Sequence, residues 1–133
     1  MSFSSEWLAL REPADREARN RVLLARVATL FVGQVAAPHV TDLGAGTGST
    51  VRALANHLPE ETTWRLVDAD QGLLERASWN LPMERVEILA LDLASELDRA
   101  FAPPIDLVAC SALLDLVSDD WLGRLAAALA ERR

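Results

Sequence analysis

The sequence has 133 residues, half of them apolar, which fits a single globular domain with a substantial hydrophobic core. Its net charge is −7, which disfavours nucleic acid as a partner, and all 13 basic residues are arginine, which excludes every lysine-dependent site. The single cysteine, Cys110, excludes an intramolecular disulfide and a multi-cysteine zinc site.

In chain order, the hydrophobic pattern predicts a helix first and then alternating strands and helices. Residues 13–36 carry apolar side chains at helical spacing and predict one long N-terminal helix with Pro13 in its first turn. Val40–Leu43 predicts the first strand, and residues 49–58 predict a helix that Pro59 ends.

The second half of the chain continues this alternation. The predicted strands are Trp64–Val67, Val86–Leu91 and Ile105–Cys110, and the predicted helices lie around residues 73–77, at Ser95–Ala100 and after the N-cap Ser118. Because the strands are mostly apolar, the pattern predicts an α/β fold with three layers. A parallel sheet of about four strands carries helices on both faces and follows an N-terminal helical segment.

No apolar run is long enough to cross a bilayer, and the N-terminus lacks the basic and then apolar layout of a secretory signal. The sequence therefore predicts no membrane association and a cytoplasmic location. His39 and His57 lack metal-ligand spacing, so we assign neither a function and expect no metal site.

The most informative segment is the glycine-rich turn between the first strand and the next helix. Gly44, Gly46 and Gly48 stand at alternate positions there. Glycine permits a positive φ and a close approach of a ligand to the main chain. A strand, a glycine-rich turn and a helix N-terminus predict a nucleotide-type cradle whose free N–H groups point at the ligand.

Two common nucleotide motifs do not fit this turn. A phosphate-binding P-loop needs a lysine, which the chain lacks. The dinucleotide fingerprint needs a third glycine or alanine where Ser49 or Val51 stands, depending on the frame, so a pyrophosphate site fits poorly.

A third motif matches without a gap. Asp42 with the three glycines forms the pattern acidic-x-Gly-x-Gly-x-Gly, and here the chain resembles the class I (Rossmann-like) S-adenosylmethionine-dependent methyltransferases. Three further sequence motifs follow in the family's order: Leu66-Val67-Asp68, Leu91-Asp92-Leu93, and Ile105–Val108 followed by Cys110–Leu113.

The resemblance implies a site for S-adenosylmethionine and its product S-adenosylhomocysteine. In the family, the acid after strand two binds the ribose hydroxyls, and the end of strand three contacts the adenine ring. The implied cofactor-binding residues are Asp42, Gly44, Ala45, Gly46, Gly48, Asp68, Ala69, Asp92, Leu93 and Ser111.

Several of these residues also have ordinary structural interpretations. Asp42 either touches the ligand or satisfies N–H groups of the loop, and Asp92 is alternatively a plain helix-start residue. Asp70, one turn later, is the alternative to Asp68 as the ribose acid. We expect Asp106 to be structural and Cys110 to be a buried strand thiol rather than a nucleophile.

Aromatic and basic residues outside the motifs have either a structural or a ligand-binding interpretation. We expect Trp64 and Trp79 to be packing residues. The opening of the chain suggests a lid formed by Trp7 or Arg11 and a pairing of Arg19 with the cofactor's carboxylate. The sequence favours the simpler interpretation, in which Trp7 anchors the tail and the arginines are solvated.

The resemblance also implies a seven-stranded sheet of order 3-2-1-4-5-7-6, of which this chain holds strands 1–4. Strand four would then be an exposed edge, which is an aggregation hazard. We therefore expect residues 1–133 to be one truncated domain, with a helical segment at 1–37 and a Rossmann-like core at 38–133. The alternative is a homodimer in which a second copy covers that edge.

The predicted function is S-adenosylmethionine-dependent methyl transfer to a small molecule, carried out by the full-length parent rather than by this chain alone. The loop after strand four offers Ser111 and Asp115, but we assign no catalytic residue. An Asn-Pro-Pro-Tyr type motif is absent, which argues against methylation of exocyclic amines in DNA. The alternatives are a cofactor-binding module without activity and a fragment of a nicotinamide-dependent oxidoreductase.

Overall fold

The computed structural model describes residues 3–31, 37–79, 81–111, 113 and 116–132. Two helices precede the first strand, and from there strands and helices alternate. The elements are α1 (Ser5–Ala18), α2 (Arg21–Leu30), β1 (His39–Leu43), α3 (Ser49–Leu54), β2 (Thr63–Asp68), α4 (Gln71–Ser78), β3 (Val86–Ala90), α5 (Leu93–Ala100), β4 (Leu107–Cys110) and α6 (Asp119–Ala130). Short 3₁₀ turns lie at Ala55–His57 and Met83–Arg85.

The strands form one parallel sheet in the order β3-β2-β1-β4, as predicted. At its carboxyl end, Leu43 of β1 lies opposite Val67 of β2 on one side and Cys110 of β4 on the other. All the strands therefore end at the same edge of the sheet, and the loops that follow them gather there.

Alternate residues along each strand face opposite layers of the core. Val40 and Leu66 pack with residues of α2, α3 and α4 on one face of the sheet. Leu43 and Val67 pack with residues of α5 and α6 on the other face. The predicted three-layer fold is confirmed, and the apolar character of the strands follows from their burial on both faces.

The prediction of one helix over residues 13–36 is wrong, because the helix is interrupted between Ala18, where α1 ends, and Arg21, where α2 begins. Asn20 caps α2: its side-chain oxygen accepts from Val22 N at 2.9 Å and from Leu23 N at 3.1 Å. An asparagine cap favours a new helix start over continuation. Pro13 lies inside α1 rather than in its first turn. Residues 32–36 of the predicted helix lie outside the described residues.

Smaller differences have local causes. The helix predicted over residues 49–58 becomes 3₁₀ after Leu54, and the last strand begins at Leu107. The preceding Asp106 accepts a hydrogen bond from His39 N at 2.8 Å, which confirms a structural role for that acid.

The two tryptophans that we expected to be packing residues differ in their burial. Trp64 is buried, with 5% of its surface exposed, as predicted. Trp79 is 70% exposed, with the Arg76 guanidinium 5.7 Å from the centroid of its ring, so the packing prediction for it is wrong. It is the C-cap of α4 and follows directly after the buried residues Ala77 and Ser78.

Candidate functional site

A cavity of about 890 Å³ lies at the carboxyl edge of the sheet. It is bounded by the glycine-rich turn, by the segments that follow β2, β3 and β4, and by α1. All of the predicted cofactor-binding residues except Asp42 and Gly48 line it. The fold thus brings together motifs that are separated by up to about half of the sequence, because parallel strands end at the same edge.

The glycine-rich turn uses the backbone freedom that its sequence predicted, since Gly44, Gly46 and Gly48 all have positive φ. Its N–H groups, however, are largely satisfied within the protein. Gly44 N and Ala45 N donate to the carbonyl of Val67 at 2.8 and 2.9 Å, and Gly48 N donates to Ala45 O. The expectation of a cradle of free N–H groups is therefore wrong for these amides.

Asp68 ends β2 and lies at the centre of the cavity wall. Its Oδ2 accepts from Gly46 N at 2.9 Å, and its Oδ1 accepts from Asp70 N at 3.0 Å. Two backbone donors therefore fix the orientation of the carboxylate. Since a carboxylate has about four acceptor positions, each oxygen keeps capacity for one more donor.

Asp70 and Asp92 are both N-caps, and both line the cavity. Asp70 Oδ1 accepts from Leu73 N at 3.1 Å at the start of α4. Asp92 Oδ1 accepts from Ala94 N at 3.0 Å at the start of α5. The helix-start interpretation of Asp92 is thus correct, and it is compatible with a place in the cavity wall.

Asp42 lies on β1 beneath the turn, with 1% of its surface exposed. Neither carboxylate oxygen has a hydrogen-bond partner among the described residues, so the interpretation that it satisfies loop N–H groups fails. Burial raises the pKa of Asp42 to about 7; the charge of Asp68 adds to the rise and that of Arg19 opposes it. The Arg19 Nε is buried and also lacks a partner within the described part of the chain.

Cys110 ends β4 on the neighbouring strand. Burial raises the pKa of its thiol to about 11, and the nearby Asp42 charge contributes to the rise. A thiol with this pKa stays protonated at neutral pH, so it is a poor nucleophile. This agrees with the prediction of a strand thiol that is not a nucleophile, but Cys110 is only partly buried rather than fully buried.

Helix α1 forms the wall of the cavity opposite the sheet. Leu8, Arg11 and Asp15 of α1 line it together with Phe3, which precedes the helix, yet no residue of α1 is buried. Arg11 forms an ion pair with Asp15 at 2.8 Å, and its guanidinium lies 4.8 Å from the centroid of the Trp7 ring. The arginine predicted as solvated is therefore held on α1, beside the cavity.

The sequence did not single out Phe3, Leu8 or Asp15. A helix that buries nothing has no strong apolar face, so no periodic signal marked its inner side. After β4, Leu113, Leu116 and Val117 also line the cavity, whereas Asp115, the candidate base, lies outside the described residues.

A family comparison decides which of the competing motifs applies. Residues 40–132 match the family described as methyltransferase domain. The chain belongs to this family. A comparison with curated protein sequences finds no significant match.

Solved structures share the fold of this methyltransferase domain. Plantazolicin methyltransferase BpumL, solved in complex with SAH, is 15% identical with a TM-score of 0.57, covering 92% of this chain and 49% of its own. Cofactor-bound Rv0187 from MTB is 21% identical with a TM-score of 0.55, covering 92% and 61%. A cyclopropane-fatty-acyl-phospholipid synthase-like protein from Lactobacillus casei is 14% identical with a TM-score of 0.58, covering 91% and 53%.

These identities are low and concern the fold alone. In three of the solved structures that it resembles, the chain covers 60%, 34% and 53% of the other protein's length, so it spans less than two thirds of each. Within the described ranges, no helix has the length and hydropathy needed to cross a membrane. The same residues contain no group of three or more histidine, cysteine, aspartate or glutamate side chains placed to hold a metal ion.

Gly48 does not line the cavity, and its conformation predicts a stability effect. Its φ is +89°, and a Cβ there would lie 3.3 Å from the Cβ of Ala77 on α4. We expect Gly48→Ala to lower the free energy of unfolding by about 1–2 kcal/mol for the left-handed backbone alone, with crowding in addition. Urea unfolding measures this loss.

Gly123 provides the matched control, because it lies within α6 and a Cβ there would meet nothing within 4 Å. Gly123→Ala should raise stability by roughly 0.5–1 kcal/mol, since alanine is the better helix former. Equal effects of the two substitutions would contradict the close packing of the turn against α4.

Proposed function

We propose that this chain binds S-adenosylmethionine in the cavity at the carboxyl edge of the sheet and forms the cofactor-binding part of a methyltransferase that acts on a small molecule. The observation that carries the proposal is the carboxylate of Asp68, held by the amides of Gly46 and Asp70 at the end of β2. We propose that residues 1–133 belong to one domain, with a helical segment at 1–37 and a Rossmann-like core at 38–133.

The charges around the cavity favour a cationic ligand. Asp15, Asp68, Asp70 and Asp92 line it, and Arg11, which pairs with Asp15, is the one basic residue among the described lining residues. A sulfonium cation is attracted by such a rim, whereas a pyrophosphate is repelled. This supports a methyl-donor site over a nicotinamide dinucleotide site.

The proposed role of Asp68 is to grip the two ribose hydroxyls. The acceptor capacity that remains on Oδ1 and Oδ2 suits two adjacent hydroxyl donors, and hydrogen bonds to an ionised acceptor are strong. We assign Asp92, Leu93 and Ala69 to the base and ribose, because they line the same side of the cavity after β2 and β3.

The amino-acid tail of the cofactor carries one positive and one negative charge. We assign Arg19 to the carboxylate and Asp42 to the ammonium of this tail, because each has a buried polar atom without a partner among the described residues, although neither side chain lines the cavity. Arg19 Nη2 also reaches Thr50 Oγ1 at 3.5 Å, and Thr50 lines the cavity. Unsatisfied buried groups are costly, so a zwitterionic tail within reach of them would be stabilising.

When bound, S-adenosylmethionine supplies an electrophilic methyl group on its sulfonium. The residues of this chain contribute by orienting the ligand and by excluding water, which is the main requirement of an in-line displacement. Leu8 of α1 and Leu113 after β4 approach the glycine turn closely, since ideal Cβ positions at Gly46 and Gly44 lie 3.5 and 3.4 Å from them. They would close the cavity on both sides, and we assign no catalytic base.

A small-molecule acceptor is supported by the covering of the cavity by α1 and by the net charge of −7, which disfavours polyanions. We further propose a cytoplasmic location. The edge strand β4 pairs only with β1 among the described strands, and a second copy of the chain that covers its open side is the proposed alternative to a continuation of the sheet.

Calorimetry with two ligands tests the proposal. We expect the protein to bind S-adenosylhomocysteine with one site per chain and to give no heat with NAD under the same conditions. The acidic cavity, which repels the pyrophosphate of NAD, is the physical reason for the second result. Binding of NAD without S-adenosylhomocysteine would refute the methyl-donor site.

A further inference from the structure

We propose that Glu12 and Arg52 form a latch that positions α1 over the cofactor cavity and links it to the glycine-rich turn. The inference rests on the proposed function for the identity of the ligand. The latch itself is a property of the protein alone, and it is argued from the contacts between α1, α3 and the turn.

Helix α1 is attached to the body of the protein chiefly through polar contacts. None of its residues is buried, although several of its side chains line the cavity. An element with little buried apolar surface opens at a lower free energy than the core. The few contacts that do hold α1 therefore decide how long it stays closed over the cavity.

The Glu12–Arg52 pair is the strongest of these contacts. Arg52 Nε donates to both carboxylate oxygens of Glu12, at 3.2 and 3.0 Å, and Arg52 Nη2 donates to Oε1. The Arg52 side chain is 33% exposed and the Glu12 side chain is 18% exposed. The hydrogen bonds from Arg52 also lower the pKa of Glu12, so the carboxylate is ionised at neutral pH. A forked, partly buried pair of this kind is stronger than an exposed ion pair.

Arg52 joins the latch to the cofactor loop. Its third nitrogen, Nη1, donates to the carbonyl of Thr47 at 2.7 Å, and Thr47 lies between Gly46 and Gly48. One guanidinium therefore bonds the helix above the cavity and the turn below it. Loss of Glu12 would free α1, and loss of Arg52 would free both α1 and the turn.

The absence of a side chain at Gly46 explains how closely α1 can approach the glycine-rich turn. An ideal Cβ at Gly46 would lie 3.5 Å from Leu8 Cδ1 of α1. With α1 latched, Leu8 covers the turn at the point where Asp68 holds the Gly46 amide. Release of a bound cofactor then requires α1 to lift, which breaks the Glu12–Arg52 pair.

The test compares Glu12→Gln with Glu17→Gln, an exposed glutamate on the same helix with no ion pair among the described residues. We expect Glu12→Gln to raise the dissociation rate of S-adenosylhomocysteine about tenfold, as expected for loss of a charge-assisted hydrogen bond, without slowing association. Glu17→Gln should leave both rates unchanged. Equal dissociation rates in the two variants would overturn the latch.

Arg52→Gln, with the exposed Arg26→Gln as its control, tests the second half of the latch. It should raise the dissociation rate more than Glu12→Gln does, because the bond to Thr47 is lost as well. The double variant should resemble Arg52→Gln alone apart from the loss of the Arg16–Glu12 pair within α1, since both substitutions remove the Glu12–Arg52 pair. Independent, multiplicative effects of the two substitutions would contradict a direct pair.

Hydrogen exchange separates the latch from the proposed function. In the protein without ligand, Glu12→Gln should speed exchange in the α1 amides and leave the β1 and β2 amides unchanged, because only local opening is affected. If the wild type failed to bind S-adenosylhomocysteine, the proposed function would fail, and this experiment would still decide the latch. Unchanged exchange in α1 would refute it.

Discussion

Replacing Asp42 by asparagine is expected to remove a large pH dependence of stability. The pKa of this buried carboxyl is raised to about 7, whereas an aspartate in the unfolded chain titrates near about 4. Between these values the folded protein keeps a proton that the unfolded chain releases, so stability falls as the pH rises. The difference corresponds to about 4 kcal/mol, fully lost above about pH 7.

The measurement is the free energy of unfolding in urea at pH 4 and pH 8 for the wild type and Asp42→Asn. Relative to the variant, the wild type should lose about 4 kcal/mol over this range, because asparagine does not titrate. Asp98→Asn, an exposed aspartate on α5, is the control and should show no such difference. A wild-type and variant difference that stays constant with pH would mean that the Asp42 carboxylate is solvated or paired in solution.

Replacing Asp68 by alanine is expected to cause the largest loss of cofactor affinity. A charge-assisted hydrogen bond contributes about 1.5–3 kcal/mol, and the proposed grip on two ribose hydroxyls lies at the upper end. The affinity for S-adenosylhomocysteine should therefore fall about 100-fold. The substitution also leaves the amides of Gly46 and Asp70 without their acceptor, so the turn itself should loosen.

Two further variants separate these contributions. Asp68→Asn keeps one side-chain oxygen for a backbone donor but loses the charge, so it should weaken binding while preserving more of the stability. Asp70→Asn can still cap α4 and tests the alternative ribose acid. A smaller loss of affinity for Asp68→Ala than for Asp70→Asn would transfer the ribose role to Asp70.

The cofactor motifs were readable from the sequence because each is local. The three glycines stand where the backbone adopts positive φ, and Asp68 and Asp92 follow directly from strands whose apolar pattern was clear. The rule that parallel strands end at one edge then placed these residues in one cavity. No detailed knowledge of packing was needed for that step.

The errors occurred where a local pattern competed with another signal. Helical spacing across residues 13–36 concealed the break at Asn20, whose side chain caps a new helix. Trp79 is a large apolar residue of the kind found in cores, but it lies at the C-cap of α4 and is exposed. The free amides expected in the glycine turn are bonded to Val67, on the neighbouring strand, and that contact has no sequence signature.

The sequence by itself determined the α/β alternation and the positions of the glycines and acids, because these depend on periodicity and on short-range backbone geometry, whereas the strand order followed from the resemblance to the methyltransferase family. Tertiary structure alone decided that Asp42 is buried without a partner, that α1 covers the cavity and that Glu12 reaches Arg52 across 40 residues. Those features arise from how separate elements pack, and the free energy of such packing depends on distances that no local pattern encodes.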